Sequence, residues 1–263
     1  MASFEHHSFT GQTAYHDLIR LLKDAAVSAL RGKPTLRSRG LQKYWYDLHR
    51  IGEDTPDLRD RLDQQNDLRR AEKERQQAQS SLIRILRAEG YRTSDPATGR
   101  LIAAFGSAGV FRLGGTLIGT HAFRLYEAEL SVRMPFDHLA ATGDIDIASR
   151  ERLPLALADA AYPAIAEVLD GFAFDAVPGL DRNMIWKWRQ VRSNSLGEFL
   201  TPSFREDEDV RKPEAIGVHA RALHFLNYLI AEPIPAAVLY RFGVQVQIPQ
   251  PGQHVAQAVQ CQP

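Results

Sequence analysis

The sequence predicts an α/β protein, a sheet flanked by helices and preceded by a helical N-terminal region. Three observations carry that reading. Val110 to Ile118 is an apolar run bounded by glycines, and Gly119-Thr120 breaks it before a helical pattern from His121 to Leu130. Gly143-Asp144-Ile145-Asp146-Ile147 is a turn leading into a short alternating strand. Near residue 100 the pattern changes from mainly helical to a mixture of strands and helices. The expected organisation is a helical region with a basic-aromatic hairpin over 1–100, an α/β core over 101–210 and a C-terminal extension over 211–263.

Composition bounds the answer. At 263 residues the chain can form one large domain or two modest ones. Lys plus Arg and Asp plus Glu are equal at 32 each, which argues against a general nucleic-acid coat or a membrane-surface protein. There is a single cysteine, Cys261, so no disulfide forms within one chain. With no signal-peptide pattern at the start and no run approaching ~18 apolar residues, the expected setting is the cytoplasm, away from membranes.

The first element is a helix over 13–31, with Leu18, Leu21, Leu22 and Ala25 on one stripe and Gly32 and Pro34 closing it. Residues 35–52 join Arg37, Arg39 and Lys43 to Tyr44, Trp45 and Tyr46. A hairpin with inward aromatics is favoured over a nucleic-acid contact, because the overall charge is balanced. A long helix follows over 56–89. Between Asp57 and Gln79, 12 of 23 residues are charged, which describes a solvated face or a dimer arm; Leu82, Ile83 and Leu86 return it to a core. Gly90 to Gly99 reads as a loop through the turn signal Asp95-Pro96. After the central stretch come a helix over 150–170, a strand from Phe172, a strand over 185–191 and another over Leu196–Leu200. Residues 203–215 read as a charged loop, and 237–240 with 244–248 as a hairpin.

The chemistry concentrates in the middle. On a strand, Asp144 and Asp146 share a face about 7 Å apart, a spacing that suits a hard divalent cation. Gly119-Thr120 opens a helix, where backbone N–H groups can meet phosphate. Glu198 lies on a later strand that could neighbour the Asp144-Asp146 strand, with the cations Lys187 and Arg189 beside it. Arg124 sits one turn into the helix. His121 and His138 flank these residues and are expected at the surface.

Leu117-Ile118-Gly119-Thr120-His121-Ala122-Phe123, Ala141-Thr142-Gly143-Asp144-Ile145-Asp146-Ile147 and Glu198-Phe199-Leu200-Thr201-Pro202 together resemble a bacterial family of nucleotidyltransferase-fold proteins. That family lies within the DNA polymerase β-like nucleotidyltransferase superfamily. The resemblance implies a mixed sheet flanked by helices. It places Gly119-Thr120 at the superfamily's glycine-serine step, with Thr for Ser. It places Asp144 and Asp146 at the Asp pair, and Glu198 at a third carboxylate that is usually Asp. It further implies two Mg²⁺ ions held by Asp144, Asp146 and Glu198, an NTP whose phosphates lie on Gly119 and Thr120, and Arg124, Lys187 and Arg189 as nucleotide-binding candidates. The acceptor, whether protein, RNA or small molecule, is not specified. The family is expected to continue past Pro251 into a helical region, where this chain ends in Gln260-Cys261-Gln262-Pro263. The alternative reading is a catalytically inactive module of the same fold that binds a nucleotide, RNA or a protein.

Overall fold

The computed structural model describes residues 5–27, 35–39, 42–47, 49–53, 56–134, 143–149, 161–179, 184–193, 195–205, 209–214 and 216–252, with the side chains of 25–66 left aside. The sheet that matters has seven strands among the described residues. They are β5 (Gly115–Ile118), β7 (Ile145–Ser149), β8 (Phe174–Ala176), β9 (Lys187–Gln190), β10 (Leu196–Pro202), β11 (Val210–Arg211) and β12 (Ala220–Leu223). The order β11-β12-β10-β7-β5 forms its spine. β10 is parallel to β7 and β12, while β5 is antiparallel to β7 and β9 antiparallel to β10. The sheet is therefore mixed, as expected.

β10 is long enough to serve two neighbours along one edge. Leu196–Glu198 pair with β9, and Leu200–Pro202 pair with β12. Its opposite edge, Gly197–Leu200, pairs with β7.

The two faces of the sheet have different fates, because successive side chains on a strand alternate. Leu117, Ile145, Ile147, Trp188 and Phe199 join the main core. Helix α3 (Pro96–Ser107) adds Leu101, Ile102 and Phe105, and α5 (Ile165–Gly171) adds Ile165 and Leu169. Phe199 meets Phe105 and Trp188 edge-on, with ring centroids 6.0 and 5.2 Å away. The other face carries Ile118, Ala148 and Leu200, which α6 (Leu226–Leu229) covers with Leu226, Leu229 and Ile230.

The remaining elements brace this sheet. α1 (Phe9–Val27) buries Ala14, Tyr15, Leu18 and Leu22 against Ile83 and Leu86 of α2 (Pro56–Ala88). Ala237 and Leu239 complete that cluster from the hairpin of β13 (Ile234–Val238) and β14 (Val244–Ile248). The hairpin turns at Gly243, whose φ of +90° suits glycine and brings it against Leu18 and Leu22. α4 (Gly119–Glu129) follows β5 directly and anchors through Tyr126, whose hydroxyl donates to the Pro249 carbonyl at 2.8 Å. β1 (Glu5–His6) pairs with β6 (Val132–Arg133) beyond the end of α4.

Several local expectations are adjusted. Asp95-Pro96 does not mark a loop that runs to Gly99. It caps α3, since Asp95 Oδ1 accepts from the Ala97 and Thr98 amides at 3.0 Å each and Pro96 occupies the first turn. The apolar run from Val110 is a strand only from Gly115; Gly109 and Gly114, both at positive φ, turn the chain before it. Residues 35–53 form three antiparallel strands, β2 (Thr35–Arg39), β3 (Gln42–Asp47) and β4 (His49–Glu53), rather than a two-stranded hairpin. Their side chains, and with them the basic-aromatic reading, lie outside the described residues, as do His138, the segment 150–160 and the end from 253. Among the described residues no helix is long and apolar enough to cross a membrane.

Candidate active site

One row of the sheet carries the site. Ile118 of β5 pairs with Asp146 of β7, Asp146 with Glu198 of β10, and Glu198 with Lys187 of β9. Cα partners on neighbouring strands project to the same face. Asp146, Glu198 and Lys187 therefore stand side by side, one step along from the Ala148-Leu200 pair that α6 covers. α6 hides the apolar part of this face, and the charged row lies beyond it.

Asp144 joins the row from the turn just before β7. Its Oδ1 accepts a hydrogen bond of 2.9 Å from the Leu196 amide at the start of β10. That bond ties the entrance of β7 to the entrance of β10. Lys187 Nζ lies 2.6 Å from Glu198 Oε1, in a half-buried ion pair.

Three carboxylates so placed repel one another. Burial, then the charges of Glu198 and Asp144, push the Asp146 pKa up from 3.8 to about 6, and Lys187 pulls in the opposite sense. Gly119 presses on the same carboxylate. It has φ +68°, and a Cβ there would stand 2.6 Å from Asp146 Oδ2. Glycine is required twice over, for the backbone angle and for the space. Ile118, the residue before α4, offers no side-chain cap, so the helix start is built from backbone alone.

The remaining sequence candidates fall in different places. Thr120 is half-buried in the first turn of α4. Arg189 is exposed on β9 at the Leu196 register. Arg124 is exposed on a flank of α4, where it lines a cleft rather than the carboxylate row. His121, expected at the surface, is 9% exposed. It sits within reach of the charges of both Asp95 and Asp144, while burial, first, and Arg124 lower its pKa. The sequence clue to its burial was its place one residue past the strand-to-helix turn, where α4 still faces the core.

The donor set is all oxygen and carries excess negative charge, which fits a hard divalent cation. Two of the three carboxylates are held by protein groups, Asp144 by the Leu196 amide and Glu198 by Lys187. Among the described residues no three His, Cys, Asp or Glu side chains are set around a common metal point.

A mixed α/β sheet with neighbouring carboxylates and a glycine at an adjoining strand-to-helix turn is an arrangement suited to phosphate chemistry. A nucleotidyltransferase family model matches residues 96–260, more than half of the chain, and the chain belongs to that family. The match begins at the first residue of α3 and takes in every strand of the seven-stranded sheet. No curated protein and no solved structure matches the chain.

Proposed function

We propose that this protein transfers a nucleotidyl group from an NTP to an acceptor hydroxyl, with Asp144, Asp146 and Glu198 as the acidic centre. The observation that carries the reading is the contact of Gly119 with the Asp146 carboxylate, which brings a helix start against a carboxylate row. The backbone N–H groups of Gly119 and Thr120 would receive the phosphates, because a helix start favours anions. Asp144, Asp146 and Glu198 would hold Mg²⁺. When bound, the metal supplies charge neutralisation for an in-line displacement at phosphorus and lowers the proton affinity of the attacking hydroxyl.

The chain's own residues do the rest. As the acceptor oxygen bonds to the α-phosphorus and pyrophosphate departs, the hydroxyl proton passes to solvent; the raised proton affinity of Asp146 in the metal-free row reflects the excess negative charge that a cation would relieve. Lys187 balances Glu198 until other positive charge arrives, and Arg189 stands on the same strand for a phosphate. The Asp144 bond to Leu196 holds the two central strands in register.

A second reading has its own observation. The Lys187–Glu198 pair neutralises one carboxylate internally, which suits an inactive module that binds a nucleotide, RNA or a protein partner. Calorimetric titration of each NTP with and without Mg²⁺, on wild type and on Asp144→Ala/Asp146→Ala, separates the two. Saturable Mg²⁺-dependent binding that the double variant loses supports the transferase. No Mg²⁺-dependent binding in either protein rejects the acidic centre.

A further inference from the structure

Beside the carboxylate row, a cleft of about 290 Å³ opens between α4, the 92–95 segment and the end of β13. Its floor is apolar and buried, made by Ile102, Leu117, Val238 and Leu239. His121 joins that floor; its ring is nearly closed off, and its Nε2 is buried with no hydrogen-bond partner. Buried imidazole nitrogens are normally satisfied, so an unpartnered one on a ring that lines a cleft leaves that ring with hydrogen-bonding capacity to spare. The volume sits at the small end of the range for organic ligands.

The rim is charged. Arg92 and Arg124 both line the cleft and are exposed. Arg92 is fixed there by Glu127 at 2.9 Å and by the Met134 carbonyl at 3.4 Å. Asp95 also lines the rim, but its carboxylate is engaged by the α3 amides. The lining thus offers an apolar floor, one deep hydrogen-bonding imidazole and two guanidinium groups at the mouth.

We infer that this cleft is a second ligand site, for a small organic anion with an apolar body, a carboxylate or phosphate head between Arg92 and Arg124, and a polar atom that meets the His121 ring. A guanidinium grips either head group through charge-assisted hydrogen bonds. The apolar body takes its contact from the floor. The site stands whether or not the acidic centre transfers nucleotides, because it shares no residue with that centre.

Histidine side-chain ¹H–¹⁵N correlation spectra of the full chain test the inference, with the His121 signal assigned by its loss in His121→Gln. The probes are 4-hydroxybenzoate and 4-hydroxyphenyl phosphate; inorganic phosphate and phenol supply head and body alone. Saturable shifts of the His121 nitrogens are expected with one or both aryl anions, at an affinity about tenfold or more above either fragment. Arg124→Gln should weaken that binding about tenfold, the loss of one charge-assisted contact. Which anion binds more tightly identifies the head group. Asp144→Asn/Asp146→Asn should leave the binding intact, so a failed acidic centre does not mimic a failed cleft. Non-saturable shifts, equal response to the fragments, or indifference to Arg124→Gln would overturn the proposal.

Discussion

Asp146 Oδ2 fills the volume that a side chain on Gly119 would occupy, at 2.6 Å from the ideal Cβ position. The strand-to-helix turn and the central carboxylate are therefore one unit. Gly119→Ala meets both a strained backbone at φ +68° and a displaced carboxylate. The strain costs about 1–2 kcal/mol of stability. Displacement of the carboxylate by even about 1 Å should lower nucleotidyl transfer roughly 100-fold. Thermal melts and turnover measured together check this; wild-type turnover in the variant would detach Gly119 from the chemistry.

Asp146 makes the protein's stability depend on pH in a defined direction. Its folded pKa of about 6 lies above the ordinary 3.8, so the folded state holds its proton more tightly than the unfolded chain. The resulting stabilisation is full below about pH 4 and is lost as pH rises through about 6. Above that range the carboxylate costs the metal-free protein about 2–3 kcal/mol. Asp146→Asn should raise Tm by about 5 °C or more at pH 8 without metal, and change it little at pH 4. Equal shifts at the two pH values would refute the assignment.

Lys187 competes for Glu198. Lys187→Met leaves a half-buried carboxylate without its cation, costing about 1–2 kcal/mol in the metal-free protein. The same change removes positive charge from the row, so Mg²⁺ affinity should rise several-fold. Titration of Mg²⁺ into both proteins decides it; weaker binding in the variant would show that Lys187 supports the metal rather than excludes it.

Asp95 offers a contrast. Burial raises its pKa, but the bonds from the Thr98 and Ala97 amides outweigh burial and hold it below 3.8. Its contribution is present above about pH 4 and fades as pH falls through the lowered value. Asp95→Ala should cost about 1 kcal/mol at pH 7, as loss of an N-cap does, and less near pH 2. Urea unfolding at the two pH values would measure the difference.

The parts of the site closest to local pattern were readable from the chain. Period-two spacing sets Asp146 on the face opposite Ile145 and Ile147, although Asp144 falls just ahead of β7, and Gly119-Thr120 marks the turn between β5 and α4. The pairing of Glu198 with Asp146 is long-range, and no local pattern carries it; it rests on the neighbouring of two strands and on the family resemblance. Asp95-Pro96 was misread because the same dipeptide serves turns and helix starts, and only the amides of Ala97 and Thr98 decide between them. The cleft was not legible at all. Arg92, His121 and Val238 come from three distant segments, and His121 carries no sequence mark of its missing partner.

β10, which pairs with β9, β7 and β12, also acts as a ruler. Phe199 is clamped between Phe105 and Trp188 in the core, so Glu198 has one allowed face. A one-residue insertion or deletion inside β10 ahead of Phe199 would swap the two, burying a carboxylate among aromatic rings and turning a phenyl ring toward Asp146. The aromatic trio is thus a proofreading device for the position of Glu198, and lineages of this chain should tolerate length changes between β9 and β10 far better than within β10.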